Sequence, residues 1–76
     1  MVIKFSDLKS KEVIHILNGD RVGFISDFDI DFETGKVISV TVPGGYKALG
    51  LLGKEEDKII KWESIKKIGD DLIIIE

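Results

Sequence analysis

Three aspartates at alternate positions are the first candidates for chemistry in this 76-residue sequence. Asp27, Asp29 and Asp31 are separated by apolar residues, and Glu33 follows two positions later. Carboxylates on one face of a strand offer the oxygen ligands that Ca²⁺ and Mg²⁺ prefer. A flat strand spaces them about 6–7 Å apart, which is too far for one ion without further ligands. We interpret these residues as a solvated strand face, with a divalent-cation or small-ligand site as the alternative.

The residue types that usually build a catalytic or metal centre are scarce. The sequence has no Cys, which excludes a disulfide scaffold, a thiolate zinc site and a cysteine nucleophile. Its one His, His15, lies between Ile14 and Ile16 and has no second imidazole to work with. We predict a protein that is not an enzyme, with no catalytic residue, metal or cofactor, and we interpret His15 as a packed or hydrogen-bonded strand residue.

The segment 43–53 is rich in glycine, the residue type that lets a loop wrap around phosphate. A phosphate-binding loop needs its glycines between a strand and a helix, with Lys and then Ser or Thr following. In this sequence the glycines are spread out, and the acidic run 55–57 follows Lys54 and would repel phosphate. Nucleotide binding is therefore not the interpretation that we favour.

Four large apolar residues in the same segment are the best candidates for a binding surface. Tyr46, Leu49, Leu51 and Leu52 lie where the pattern predicts a loop, and loops normally run over the protein surface. An exposed apolar cluster is typical of a site for a protein partner. We predict that these four residues bind a partner, and that the shape of the loop is set by three glycines: Gly44, Gly45 and Gly53. The alternative is that the four fold back over the core or form another strand.

The charge balance excludes some partner classes. With 11 basic and 14 acidic residues, the formal net charge is −3, whereas nucleic-acid affinity depends on surplus basic groups. We interpret the C-terminal lysines as part of a mixed-charge surface; they are Lys58, Lys61, Lys66 and Lys67.

No apolar stretch approaches the length of a membrane span or a signal peptide, so we expect a cytoplasmic protein without membrane insertion.

These candidate residues must be positioned by short strands. Alternation of apolar and polar residues is strongest over 21–32, where Val22, Phe24, Phe28, Ile30 and Phe32 occupy even positions. Further strands are predicted over 12–17, 37–42, 58–62 and 72–75, a helical turn capped by Ser6 over 6–10, and another over 63–67. We expect one domain over residues 1–76, an all-β barrel of about five to six strands, because closure removes sheet edges that so small a domain cannot cover.

Several segments, taken in order, resemble the PRC-barrel family. They are GDRVG at 19–23, SDFDID at 26–31, ETG at 33–35, VPG at 42–44, GKEED at 53–57 and Trp62 followed by IKKIGDD at 65–71. The resemblance runs from Phe5 to Ile75 and is to the short YlmC/YmxH group of sporulation proteins. One departure is Lys61, where relatives often carry proline before the tryptophan, which bears on the edge of that strand.

The resemblance implies a barrel of about six strands used as a protein-interaction module. It implies no catalytic residues, and it gives Gly23 and Gly35 roles at bends or turns and Trp62 and Ile65 roles in packing. The identity of the protein partner stays open, and a second copy of this chain, giving a homodimer, is one candidate. An adaptor that contacts RNA or the ribosome is a further alternative, which the acidic balance of this sequence opposes.

Overall fold

The computed structural model describes residues 2–44 and 56–76. Within these residues the chain forms one five-residue α-helix, one 3-10 helix and seven short strands. The elements are α1 (Phe5–Lys9), β1 (Glu12–His15), β2 (Arg21–Phe24), β3 (Asp27–Ile30), β4 (Val37–Val42), β5 (Lys58–Lys61), the 3-10 helix (Trp62–Ser64), β6 (Ile65–Ile68) and β7 (Leu72–Ile75). None of the helices in this part of the chain is long and apolar enough to cross a membrane.

The strands form two sheets. The first has the order β2-β1-β7-β6, and the second has the order β3-β4-β5. All neighbours are antiparallel except β1 and β7, which are parallel although they come from opposite ends of the chain. The three-stranded sheet is a meander, so its strand order follows the sequence.

Two corners of the chain join the sheets into a barrel-like ring. Two residues, 25 and 26, connect β2 to β3, and the 3-10 helix connects β5 to β6. Each corner links an edge strand of one sheet to an edge strand of the other, as in barrels whose strands switch sheets at a bend. The all-β barrel class is confirmed, but the strand ladders end at the corners, so chain continuity and not hydrogen bonding completes the ring.

The predicted single strand over 21–32 was wrong, because the chain bends in its middle. The backbone N–H of Ser26 donates to the carbonyl of Thr41 at 2.9 Å, which draws the chain into the second sheet. The bend changes which side chains face inward: Ile25 is 2% exposed, whereas Phe24 is 48% exposed. Phe32, predicted as the last inward residue, is fully exposed in the turn after β3.

Four other boundaries differ from the prediction. The strand predicted over 58–62 ends at Lys61, and Trp62 is the first residue of the 3-10 helix. The helical turn over 63–67 ends at Ser64, because Ile65 and Ile68 pair with Ile75 and Ile73 of β7 and extend the first sheet. Ile16 and Leu17, predicted in the first strand, are exposed in the turn that follows β1. The first helix is present, but Lys4 and not Ser6 is its N-cap residue.

The core lies between the two sheets and beneath α1. Its buried residues come from every layer: Leu8, Val13, Ile25, Val40, Val42, Ile60, Ile73 and Ile75. Trp62 and Ile65 pack against this cluster, which confirms their expected packing roles. The ring of Phe5 on α1 meets the ring of Phe28 edge-on, with centroids 4.3 Å apart, and this contact holds the helix over the second sheet.

Gly23 sets how closely the two sheets approach. It lies in β2 opposite Val13, and its φ of 133° is in a region that side-chain-bearing residues rarely adopt. A Cβ atom at this position would lie 2.8 Å from Cγ1 of Val42, on the facing sheet. The sheets therefore meet at this point because residue 23 has no side chain.

We predict that Gly23→Ala lowers the free energy of unfolding by about 2–5 kcal/mol, from backbone strain together with overpacking against Val42. Gly35 is the matched control, because its φ is 73° but no atom lies within 4 Å of its added Cβ. Gly35→Ala should cost only about 1–2 kcal/mol. Urea denaturation of both variants measures the difference, and equal losses would contradict the close approach of the sheets at Gly23.

Candidate interaction surface

The β4–β5 hairpin carries the segment in which the binding residues were predicted. Val42 at the end of β4 pairs with Lys58 at the start of β5, and the pairing continues to Ser39 and Lys61. The chain therefore leaves the sheet after Val42 and returns to the same point at Lys58. Pro43, which follows Val42 and lacks a backbone N–H, favours the end of the strand at this point.

A hydrogen bond closes the base of this hairpin beyond the last strand pair. The backbone N–H of Gly44 donates to Oδ1 of Asp57 at 2.9 Å. The acceptor is a carboxylate, and hydrogen bonds to ionised groups are stronger than those between neutral groups. Gly44 was predicted to shape the loop, and this bond holds it beside the returning strand.

The other predicted site residues lie outside the described residues. They are the partner-binding set Tyr46, Leu49, Leu51 and Leu52, and the loop-shaping glycines Gly45 and Gly53. Their assignment as a binding surface stays a prediction. The described residues define the two ends of the segment that contains them, Gly44 and Asp57.

The hairpin also exposes apolar side chains that sequence reasoning missed. Ile59 is 63% exposed and lies opposite Thr41, on the face of the sheet away from the core. Its neighbour Ile60 is buried. Because adjacent residues in a strand point to opposite faces, only one of two consecutive isoleucines can face the core. The period of the strand could have indicated that the other one is exposed.

A bulge adds a second exposed isoleucine to the same face. Asp29 pairs with Ser39 and Ile30 pairs with Val37, so Ile38 is the extra residue in β4. Ile38 is 49% exposed, whereas Val40 and Val42 are buried on the opposite face. The outer face of the β4–β5 hairpin therefore has an apolar residue on each strand.

The alternate aspartates do not converge on a common point. Oδ2 of Asp27 accepts a hydrogen bond from the hydroxyl of Ser26 at 3.0 Å, and Oδ2 of Asp29 accepts one from Ser39 at 2.8 Å. Asp31 lies beyond β3 and accepts the backbone N–H of Glu33 at 2.9 Å, which stabilises the turn. Within residues 2–44 and 56–76, no three acidic or imidazole groups are close enough to hold a metal ion.

The first sheet contains a polar pair and the single histidine, each in a local structural role. The carboxylate of Glu12 accepts hydrogen bonds from the guanidinium of Arg21, and these bonds together with its charge raise the pKa of Arg21. Nδ1 of His15 accepts the backbone N–H of Leu17 at 3.3 Å, inside the turn after β1. His15 is therefore the hydrogen-bonded strand residue that the sequence predicts.

An apolar cavity of about 250 Å³ lies between α1 and the three-stranded sheet. Its lining is entirely apolar: Ile3, Phe5, Leu8, Phe28, Val37, Val40 and Trp62. Because none of these side chains can transfer a proton or act as a nucleophile, the cavity offers no acid–base or nucleophilic chemistry.

Sequence comparison relates this chain to a family of barrel domains. The family profile described as "PRC-barrel domain" matches residues 1–76. The chain is similar to a protein of Bacillus subtilis (strain 168) called "Probable sporulation protein YlmC", with 40% identity over 74 residues, covering 97% of this chain and 91% of the relative.

Two further relatives are similar over most of their length. An uncharacterized protein of Clostridium acetobutylicum is 46% identical over 68 residues, which cover 90% of this chain and 77% of that protein. The uncharacterized protein YmxH of Bacillus subtilis (strain 168) is 30% identical over 76 residues, covering 97% of this chain and 88% of YmxH. The resemblance seen in the sequence motifs is confirmed.

We predict that Asp57→Ala loosens the base of the hairpin, because the N–H of Gly44 loses its carboxylate acceptor. For an exposed bond worth about 0.5–1 kcal/mol, amide hydrogen exchange at Gly44 should accelerate about two- to five-fold. Asp57→Asn, which retains an oxygen at the same position, should stay closer to the wild-type rate. Unchanged exchange at Gly44 in the alanine variant, measured by NMR, would show that the bond does not close the hairpin.

Proposed function

The chain belongs to the PRC-barrel domain family, and on that premise we propose that it is a non-enzymatic module that docks on a protein partner. The docking residues in this proposal are Tyr46, Leu49, Leu51 and Leu52. The process is sporulation in the cytoplasm, a proposal supported by the name of the Bacillus subtilis relative.

The observation that carries the proposal is the closed base of the β4–β5 hairpin. The strand pair Val42–Lys58 and the bond from Gly44 to Asp57 hold the two ends of segment 45–55 together. Fixing the ends of a binding segment reduces the conformational entropy that association must overcome. A closed base of this kind supports a docking role for the segment, because the paired strands already hold its two ends together in the unbound protein.

The energetics support an interface of modest affinity. Burying one leucine side chain contributes about 1.5–3 kcal/mol, so three contribute about 4.5–9 kcal/mol. Association itself costs about 4–15 kcal/mol in lost translational and rotational freedom. The free energy from burying the three leucines is therefore of the same order as the cost of association. Burial of Tyr46 would add further apolar contact area. Ile59, exposed where β5 begins, offers further apolar surface next to the hairpin base.

The non-enzymatic part of the proposal rests on how the polar side chains are used. Among the described residues, Asp27, Asp29 and Asp31 each accept hydrogen bonds at separate places, and His15 accepts one within a turn. A catalytic constellation needs a nucleophile or acid–base pair within hydrogen-bond reach beside a substrate-sized pocket. The cavity between α1 and the three-stranded sheet has no such groups in its lining.

We predict that the triple variant Leu49→Ser, Leu51→Ser, Leu52→Ser loses its protein partner. Crosslinked capture from native cell extract, followed by titration of the purified partner, should show affinity reduced by about 1,000-fold or more, because the burial lost is about 4.5–9 kcal/mol and each 1.4 kcal/mol is a factor of ten. The matched control is Val2→Ser, Leu17→Ser, Phe32→Ser, which removes three exposed apolar side chains outside the segment.

Circular dichroism and thermal denaturation must first show that both triple variants fold as the wild type does. A partner that binds wild type and the control but not the segment variant supports the proposal. Equal binding by all three proteins would contradict the assignment to the segment and would direct attention to other exposed surfaces.

A further inference from the structure

The two edges of the three-stranded sheet carry charges of opposite sign. β3 forms one edge and presents Asp27 and Asp29, whereas β5 forms the other edge and presents Lys58 and Lys61. All four side chains are exposed, and none forms an ion pair with any residue that the structure describes. The sheet is therefore polarised across its width, with an acidic edge and a basic edge.

The register places the opposite charges in one row on the same face. Asp29 pairs with Ser39, and Ser39 pairs in turn with Lys61. Residues directly opposite each other point to the same side of a sheet, so Asp29 and Lys61 both lie on the outer face. Because they are two strand spacings apart, about 9–10 Å, they do not form an ion pair within one chain.

Each edge leaves a row of backbone N–H and C=O groups without a neighbouring strand among those described. Both edge strands have four residues. Since both are antiparallel to β4, they are parallel to each other. A second copy displaced sideways across the sheet would bring its β3 alongside β5 of the first copy, and the two strands would be parallel.

Like edges do not suit each other. Pairing β3 with β3 would bring aspartates together, and pairing β5 with β5 would bring lysines together. Both pairings are unfavourable, because like charges opposite each other destabilise a sheet. Pairing β3 with β5 places Asp29 of one copy one strand spacing from Lys61 of the next. We propose that this chain associates with itself head to tail, with the acidic β3 edge of one copy joining the basic β5 edge of another.

The symmetry of this contact has a consequence for the assembly. The two surfaces are different, so each copy keeps one edge free after it binds, and the contact generates an open chain unless rotation closes a ring. Strand twist of about 20–25° per strand makes such a chain helical. The surface consists of β3 and β5 and does not include residues 46–52, so the proposal is independent of the docking segment.

Analytical ultracentrifugation tests this proposal on the full chain. Between about 10 μM and about 1 mM, a range suited to weak association, the weight-average mass should rise from 8.5 kDa past that of a dimer. Because the contact is ionic and exposed, about 0.5 M salt should return it to the monomer. A mass that stays at 8.5 kDa throughout at low salt would overturn the proposal.

Charge reversal distinguishes this pairing from other self-association. Asp29→Lys and Lys61→Glu should each abolish assembly, since each makes the two edges alike in charge. A mixture of these two variants should assemble again, as should the double variant, because opposite charges are restored. Asp70→Lys and Lys36→Glu apply the same charge changes at exposed turns and should assemble as wild type does.

Asp29→Lys also removes the hydrogen bond from Ser39, so each variant is first checked for folding by circular dichroism. If one variant does not fold, the charge-matched controls and the remaining single variant still decide the question. Three results would overturn head-to-tail pairing. The single variants assemble, or neither the mixture nor the double variant assembles, or the mass of the wild type stops at that of a dimer.

Discussion

The two sheets approach each other closely where Gly23 faces Val42. This contact joins β2 of the four-stranded sheet to β4 of the three-stranded sheet, and it requires a residue without a side chain. Val42 is also the last residue of β4 and pairs with Lys58, where the hairpin opens. The packing that brings the sheets together therefore also fixes the base of the segment proposed to bind a partner. Val42 is therefore both a core residue and the last strand residue before the proposed docking segment.

Local pattern predicted the elements, and long-range pairing determined how they are combined. The strands over 37–42 and 72–75 were predicted with the bounds that the structure gives, because β-branched runs between turn residues are strong signals. The bend at Ser26 was not predictable from alternation, since it depends on the carbonyl of Thr41. The strand Ile65–Ile68 was missed because only its end residues are apolar and their partners, Ile75 and Ile73, lie in β7.

The candidate surfaces show the same division. Composition and spacing excluded a thiolate metal site and drew attention to the apolar segment after Pro43. They did not predict that Gly44 bonds to Asp57, because that bond spans 13 residues, nor that Ile59 is exposed. The polarity of the sheet was also hidden: the acidic and basic residues are far apart in sequence, and only the register places Asp29 and Lys61 in one row. Sequence patterns report residue types, whereas pairing decides which of them share a face.

Hydrogen–deuterium exchange with mass spectrometry, comparing the protein alone with the protein bound to its captured partner, would locate the docking surface. We expect peptides covering residues 45–55 to gain the largest protection on binding, whereas peptides from the four-stranded sheet should change little. Protection centred on the four-stranded sheet, with unchanged exchange over residues 45–55, would contradict a module that docks through the β4–β5 hairpin.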